Sequence, residues 1–544
     1  MIVLAKTACS RRMHMYVAMV MALLALTAAQ LHAEPYTPAG ETCGGLPKVA
    51  VETMDGICIG LVLQRGERLP LVKPRKIAQI AGQDAFLLTD MGGWGENAGS
   101  LYLIERRGGA YAARRLRSRL NLPHQILRGP GGLYYLGEAH RITAFRLDSQ
   151  NRPIDWRKVL DGLPELAGNL HPLTHFIFLE NGDLLVNIGA ATDACEAETA
   201  AGVCRAREST GLLRHYRYLP ASGVWSTEFE VYATGLRNSM ALVRHPSGTI
   251  LQAENGVDFK AEGEPYEEIN VVVNGGDYGW PYCHNNDAAH PAWNRNAECR
   301  TGAFVRPWTL MPPHAAPLDM IYYTGDLLPV LSGKLLIGWH GYRVYGHRLV
   351  AYAVDGEGRP LRGAVATLRS DPTAAEPWFA ERVYAAEGSA GPVSQHIEIT
   401  TAWNRVPGIR PRGAPVGLLQ AEDGSLWIVD DRNRAVLRMA PGEPWRHDTA
   451  ANAVQSGSFQ QDAELAARAF PVLVDRCQGC HEFLKALRPD GLASAMVQEG
   501  WLAAPLYESK LAAALRSGKM PPEHPIPEAD QAPIREWLFK LTPE

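Results

Sequence analysis

The chain has 544 residues, 46% of them hydrophobic and 21% charged, so it can bury a core and is not a disordered segment. A formal net charge of −4 argues against a general nucleic-acid binder. With 52 glycines and 38 prolines the chain favours turns over long helices.

Residues 1–33 carry Lys6, Arg11 and Arg12, no acid, and an apolar run over 15–29 that ends in small residues before Glu34. That run is shorter than the ~20 residues a spanning helix needs. The segment predicts a secretory signal peptide cut after Ala33, with an uncleaved anchor as the alternative. The mature chain is then periplasmic or secreted, with no membrane-spanning segment. Cys9 leaves with the signal, and eight of the nine cysteines meet an oxidising compartment.

From residue 34 to 455 a turn followed by an apolar strand recurs six times: GQDAFLLTD (82–90), GPGGLYYLGE (129–138), ENGDLLVNIG (180–189), PSGTILQAE (246–254), LSGKLLIGWH (331–340) and EDGSLWIVDD (422–431). Helix-period segments are scarce between them. The pattern predicts an all-β six-bladed β-propeller, with a β-sandwich as the alternative. A histidine or arginine precedes each copy: Arg75, His124, His171, Arg237, His314 and Arg412. Equivalent positions of successive blades converge on the central axis. Six such side chains would repel one another without an anionic guest, which predicts a polyanionic ligand there.

The small polar stretch 449–461 reads as a linker. Beyond it, Cys477-Gln478-Gly479-Cys480-His481 offers two thiols spaced for the vinyl groups of a haem and a histidine to ligate its iron. A redox Cys-x-x-Cys is the competing reading, but the motif follows a run over 463–476 with helical spacing. Met520, in Ser-Gly-Lys-Met-Pro-Pro, is the expected sixth iron ligand ahead of His524, whereas Met496 sits in a helix-like run. The stretch 534–541 is a helix candidate. Residues 456–544 thus resemble a class I cytochrome c, a small all-α domain holding haem c through Cys477, Cys480, His481 and Met520.

Residues 45–445 resemble the soluble PQQ-dependent sugar dehydrogenases, the glucose and sorbosone dehydrogenase family. Three stretches carry the resemblance: HPLTHFIFLENGDLLVNIGA (171–190), TGLRNSMALVRHPSGTILQAENG (234–256) and EEINVVVNGGDYGWPYC (267–283). It implies a six-bladed propeller with pyrroloquinoline quinone (PQQ) over its axis. It also implies His171 as general base, Arg237 and Asn238 as cofactor contacts, and a calcium ion held by the carbonyls of Gly256 and Val257. Arg237 would also stabilise the oxyanion that forms on the cofactor. His124, His314 and Arg412 complete the expected cofactor set. The family's lysine on the fifth blade has no counterpart in HGYRVYGHRL (340–349), where Arg343 or Arg348 would replace it. His175 stands where the family often has arginine. The first blade resembles the family poorly, so Arg75 is left out of the expected site.

Six cysteines remain after haem attachment. They allow 15 pairings. Neighbour pairing would give Cys43–Cys58, Cys195–Cys204 and Cys283–Cys299, the second bracing the rim of the site. The chain is therefore expected to be an exported quinohaemoprotein. It would oxidise a sugar by hydride transfer to PQQ, and pass electrons to its own haem c and then to a soluble or membrane-bound acceptor. A non-catalytic propeller binding module linked to a haem c carrier is the alternative. The tryptophan-rich repeats and adjacent cysteine pair of the eight-bladed quinoprotein alcohol dehydrogenases are not visible.

Overall fold

The computed structural model describes residues 36, 38–66, 69–164, 170–259, 264–341, 345–362, 392–400, 403, 413–445, 459–477, 484, 487–499, 501–502, 509–517 and 527–543. The chain divides into two compact units, one running to Arg446 and one from His447. Among the described residues no helix is long and apolar enough to cross a membrane.

The first unit is the six-bladed β-propeller. Blade 1 is Pro74–Gln79, Ala85–Asp90, Gly99–Arg107 and Ala110–Leu120; blade 2 is Ile126–Arg128, Tyr134–Glu138, Arg141–Leu147 and Pro153–Asp161. Blade 3 pairs Phe176–Phe178, Leu184–Ile188, Leu212–Tyr216 and Glu230–Thr234, with Gly276–Asp277 added in parallel. Blade 4 is Ala241–Arg244, Ile250–Ala253, Tyr266–Val271 and Thr309–Pro313, and blade 5 is Pro317–Tyr323, Lys334–Trp339, Arg348–Ala353 and His396–Glu398.

Blade 6 closes the ring. Its Pro415–Gln420, Leu426–Asp430 and Ala435–Pro441 are joined by Ile57–Gln64 from the other end of the chain, with Leu46–Val49 and Pro38–Cys43 beyond. The closing register sets Ile57 opposite Pro441 and Gln64 opposite Ala435.

Each of the six turn-strand copies supplies the second strand of its blade. These strands lie mid-blade between neighbouring blades, so they read as unbroken apolar runs: Leu184–Ile188 and Leu426–Asp430 are buried throughout. The outer strand Ala110–Leu120 instead carries exposed Arg115, Arg117 and Arg119. The turns before the second strands need a left-handed residue, supplied by Gly182 (φ 87°) and Gly424 (φ 82°).

The three neighbour disulfides form: Cys43–Cys58, Cys195–Cys204 and Cys283–Cys299.

The second unit is helical. Ala463–Cys477, Leu492–Gln498, Lys510–Ser517 and Glu528–Lys540 enclose a core of Ala466, Leu473, Met496, Leu511, Ile534 and Trp537. Ion pairs Arg468–Glu536 (2.9 Å) and Arg476–Asp530 (2.9 Å) join the first and last of these helices. Phe459–Gln460 pairs with Thr542–Pro543, so the end of the predicted linker 449–461 belongs to this unit.

Cys58 stands in the closing strand, and its bond to Cys43 spans 15 residues. Replacing both cysteines by serine should lower stability by about 3 kcal/mol, from the loop entropy returned to the unfolded chain. Calorimetry should show a lower Tm; an unchanged Tm would mean that the sheet alone holds the closing strand.

Candidate active site

The histidines and arginines singled out by the repeat lie at or just before the first strand of each blade. His124 precedes Ile126–Arg128, His171 precedes Phe176–Phe178, Arg237 precedes Ala241–Arg244, and His314 precedes Pro317–Tyr323. Arg75, His124, Arg237 and His314 are buried and His171 is half-buried. Arg343, Arg412, Cys480, His481 and Met520 lie outside the described residues. Cys477 is half-buried at the end of its helix. Met496, set aside from the iron ligands, packs in the helical core.

His171 and Arg237 are joined through the backbone of one residue, Ala190. The Ala190 carbonyl accepts from His171 Nδ1 at 2.6 Å, and the Ala190 N–H donates to the Arg237 carbonyl at 2.7 Å. Because a carbonyl only accepts, Nδ1 carries the proton and Nε2 the lone pair. Burial and the Arg237 charge push His171 down to about 3, so the ring is neutral at physiological pH. Gly189 makes the approach possible. A Cβ there would sit 2.6 Å from His171 Cβ and 3.3 Å from Asn238 Oδ1, so only glycine lets His171 and Asn238 close on the same strand end.

His124 has the opposite polarity. Arg75 Nε donates to its Nδ1 at 3.1 Å. Arginine cannot accept, so the proton of this neutral imidazole sits on Nε2. Burial, then Arg75 and Lys76, hold His124 well below the usual histidine range. Its Nε2, together with Arg237 Nε and Asn238 Oδ1, is buried without a protein hydrogen-bond partner. Such atoms are costly unless a ligand meets them.

The expected self-repulsion of converging cations is relieved within the protein at the two arginines described there, Arg75 and Arg237, which both pair with carboxylates. Arg75 Nη1 pairs with Asp431 at 2.8 Å, and His340 Nε2 lies 2.7 Å from the same carboxylate. Burial pushes Asp431 up, but His340 and Arg75 together hold it below the usual carboxylate range. Lys76 pairs with Asp319 at 2.7 Å, and Arg237 Nη2 lies 2.6 Å from Asp193 and 3.1 Å from Asp258. The His124 Nε2 and Arg237 Nε N–H groups remain buried donors without a protein acceptor.

Arg75, excluded from the expected site, stands at its centre beside His124. Asp431, His340, Lys76 and Asp319 went unnoticed, since carboxylates were not sought at the repeat positions. His175, four residues after His171, is buried with its ring 5.9 Å from that of His124. Arg348 pairs with buried Glu398 at 2.9 Å within blade 5.

The stretch expected to hold calcium is rich in oxygen. Gly256 N–H donates to Glu267 at 2.6 Å, the Val257 carbonyl accepts from Phe259 N–H at 3.0 Å, and Asp193 and Asp258 flank Arg237 close by. The Cys195–Cys204 disulfide braces the loop that delivers Asp193. Trp280 Nε1 donates to the Asp193 carbonyl and Trp293 Nε1 to that of Ala194, each at 2.8 Å, and Tyr282 OH accepts from Cys204 N–H at 2.9 Å.

Residues 135–359 match the family model described as Glucose / Sorbosone dehydrogenase. The match runs from the second strand of blade 2 to the third strand of blade 5. A curated relative, quinoprotein glucose dehydrogenase B of Acinetobacter calcoaceticus, is 41% identical over 51 residues, 9% of each chain. An AA12-family carbohydrate-active enzyme of Trichoderma reesei shares 19% identity at a TM-score of 0.53, over 74% of this chain and 100% of that one. The holo PQQ domain of pyranose dehydrogenase from Coprinopsis cinerea shares 18% at 0.53, over 73% and 99%. At these identities the solved structures establish the six-bladed fold.

Two outcomes follow. In an NMR titration of labelled histidines, the His171 ring should stay neutral from pH 8 to pH 5; a transition near its ordinary pKa of about 6.5 would refute the buried geometry. Gly189→Ala should displace His171 and cut activity at least ~10²-fold, the lower range for losing a general base, while the fold survives by circular dichroism.

Proposed function

We propose that this chain is an exported PQQ-dependent sugar dehydrogenase that passes electrons through its own haem c. The observation that carries the reading is the pair of opposed histidines: His171 offers a lone pair at Nε2, and His124 offers a proton at an unpartnered Nε2. The family match over 135–359 supports the activity class.

PQQ fits the chemistry of the unpartnered atoms, since its carboxylates and carbonyls are acceptors for the N–H groups of His124 and Arg237. When bound, the quinone supplies the hydride acceptor and the two-electron store. Calcium suits the Gly256 and Val257 carbonyls, with Asp193 and Asp258 nearby as further hard oxygens, and would add positive charge beside the cofactor. The protein's own residues do the rest. His171 Nε2 takes the proton from the substrate hydroxyl, and the Ala190 carbonyl stabilises the imidazolium that results. Arg237 and His124 direct donors at oxygens where negative charge develops, and Asn238 orients the ligand beside His171. Arg343 and Arg412 are further cofactor contacts in this reading, with His314 at the head of blade 5.

Haem c rests on the Cys-Gln-Gly-Cys-His motif, with Cys477 and Cys480 covalently attached, His481 beneath the iron and Met520 as sixth ligand. Fusion of carrier and dehydrogenase raises the effective concentration of one at the other. The charged first segment and the disulfides support export to the periplasm or beyond.

The test is spectral. The holoprotein loaded with PQQ and calcium should show haem reduction when D-glucose or another aldose is added. His171→Ala should slow that reduction by ~10²–10⁴-fold, the usual contribution of a general base. Equal rates in the two proteins would sink the assignment of His171. Tight PQQ binding without turnover of any aldose would favour the non-catalytic binding module.

A further inference from the structure

The loop after the second strand of blade 4 carries Gly256 and Val257, whose carbonyls suit calcium. Residues 254–256 are each tied to other parts of the site. Glu254 accepts from Asn238 N–H at 2.9 Å. The Asn255 carbonyl accepts from Arg237 Nη1 at 2.9 Å, and Asn255 Nδ2 donates to the Pro317 carbonyl at 2.7 Å. Gly256 N–H donates to Glu267 Oε2 at 2.6 Å.

The other oxygen of Glu267 reaches towards the next blade. Its Oε1 accepts from Ala316 N–H at 3.2 Å, two residues after His314 and just before the first strand of blade 5. His314 and Ala316 both hold left-handed backbone, φ 56° and 48°, a conformation unfavourable for residues with a side chain. One buried carboxylate thus fastens both the loop of the carbonyls and the strained segment that carries His314. The third strand of blade 4 aims it there. Its register against Thr309–Pro313 slips between Tyr266 and Glu267, a bulge of the kind that redirects a side chain.

The chemistry of the head group is specific. Two N–H donors on two oxygens call for a carboxylate; an amide would turn its own NH2 towards one of them. Arg237 acts on the Glu267 charge from a distance, since its own ion pairs are with Asp193 and Asp258. A buried carboxylate in that state is costly, and a cation held by the neighbouring carbonyls lowers the cost. We propose that Glu267 is a positioning residue for the calcium ion: it holds the Gly256–Val257 carbonyls in place and ties them to the His314 segment. The inference rests on the calcium of the dehydrogenase reading, and adds the side chain that shapes its seat.

The full chain is treated with a chelator, given excess PQQ and titrated with calcium chloride, with no sugar present. Binding is read from the absorbance of the bound quinone. Glu267→Gln should raise the calcium Kd about 10–100-fold, the usual range for a residue that orients a metal's ligands. A lower Tm with an unchanged Kd would make Glu267 a structural fastener and overturn the inference. Should Glu267→Gln fail to fold, Gly256→Ala serves instead, because its Cβ would come 3.3 Å from Glu267 Oε2 and press the same contact apart. An unchanged Kd in that variant overturns the inference too, as does a natural chain that binds no calcium. A raised Kd in a protein that turns over no aldose keeps the role of Glu267 and overturns the dehydrogenase reading. Turnover of aldoses with the same calcium Kd in Glu267→Gln overturns the inference alone.

Discussion

The site hangs on the backbone of a single residue. The Ala190 carbonyl accepts a hydrogen bond from His171 Nδ1, and the Ala190 N–H donates to the carbonyl of Arg237. One residue just past the end of one strand thus sets the tautomer of His171, its orientation, and its spacing from Arg237 and from Asn238. Gly189, beside it, admits the close approach. A side-chain partner could rotate away or titrate; a buried peptide carbonyl at a strand end does neither. His171 is therefore fixed by the same backbone that fixes the blade.

Around it, charge is balanced across the ring. Arg75 of blade 1 meets Asp431 just after the second strand of blade 6, which also meets His340 just after the second strand of blade 5. Lys76 of blade 1 reaches Asp319 of blade 5, whose other oxygen accepts from Leu418 N–H of blade 6 at 2.7 Å. Such buried pairs contribute little net stability beside a well-packed apolar centre, but breaking one partner leaves an uncompensated charge and is costly. Their effect is geometric. They hold Arg75 against His124, and this contact decides on which nitrogen His124 keeps its proton.

The sequence revealed what is local. Each repeated strand is a second strand of a blade, legible because a strand covered on both faces has no polar alternation to hide it. The disulfides were legible because each joins cysteines at most 16 residues apart. His171 and the Arg237-Asn238 pair stood in stretches of family resemblance, and geometry brings them together around Gly189. The charge partners were not legible. Arg75 and Asp431 are 356 residues apart, and no periodicity links a carboxylate after one strand to a cation before another. Arg75 was set aside because its blade resembles the family least, yet its role depends on blades 2 and 6. Ala190 was invisible for a different reason, since its backbone acts and its side chain does not.

Closure of the ring has a temporal side. Ile57–Gln64, near the start of the chain, finds its partner only in Ala435–Pro441. Until those late residues are made, the early strand has an unpaired edge and blade 6 does not exist. Pairings this distant are slow to form and expose sticky edges while they wait. The propeller therefore cannot complete itself as it emerges; it remains an open arc through most of its synthesis. The last strands of the ring to be made, Leu426–Asp430 and Ala435–Pro441, are also the latch.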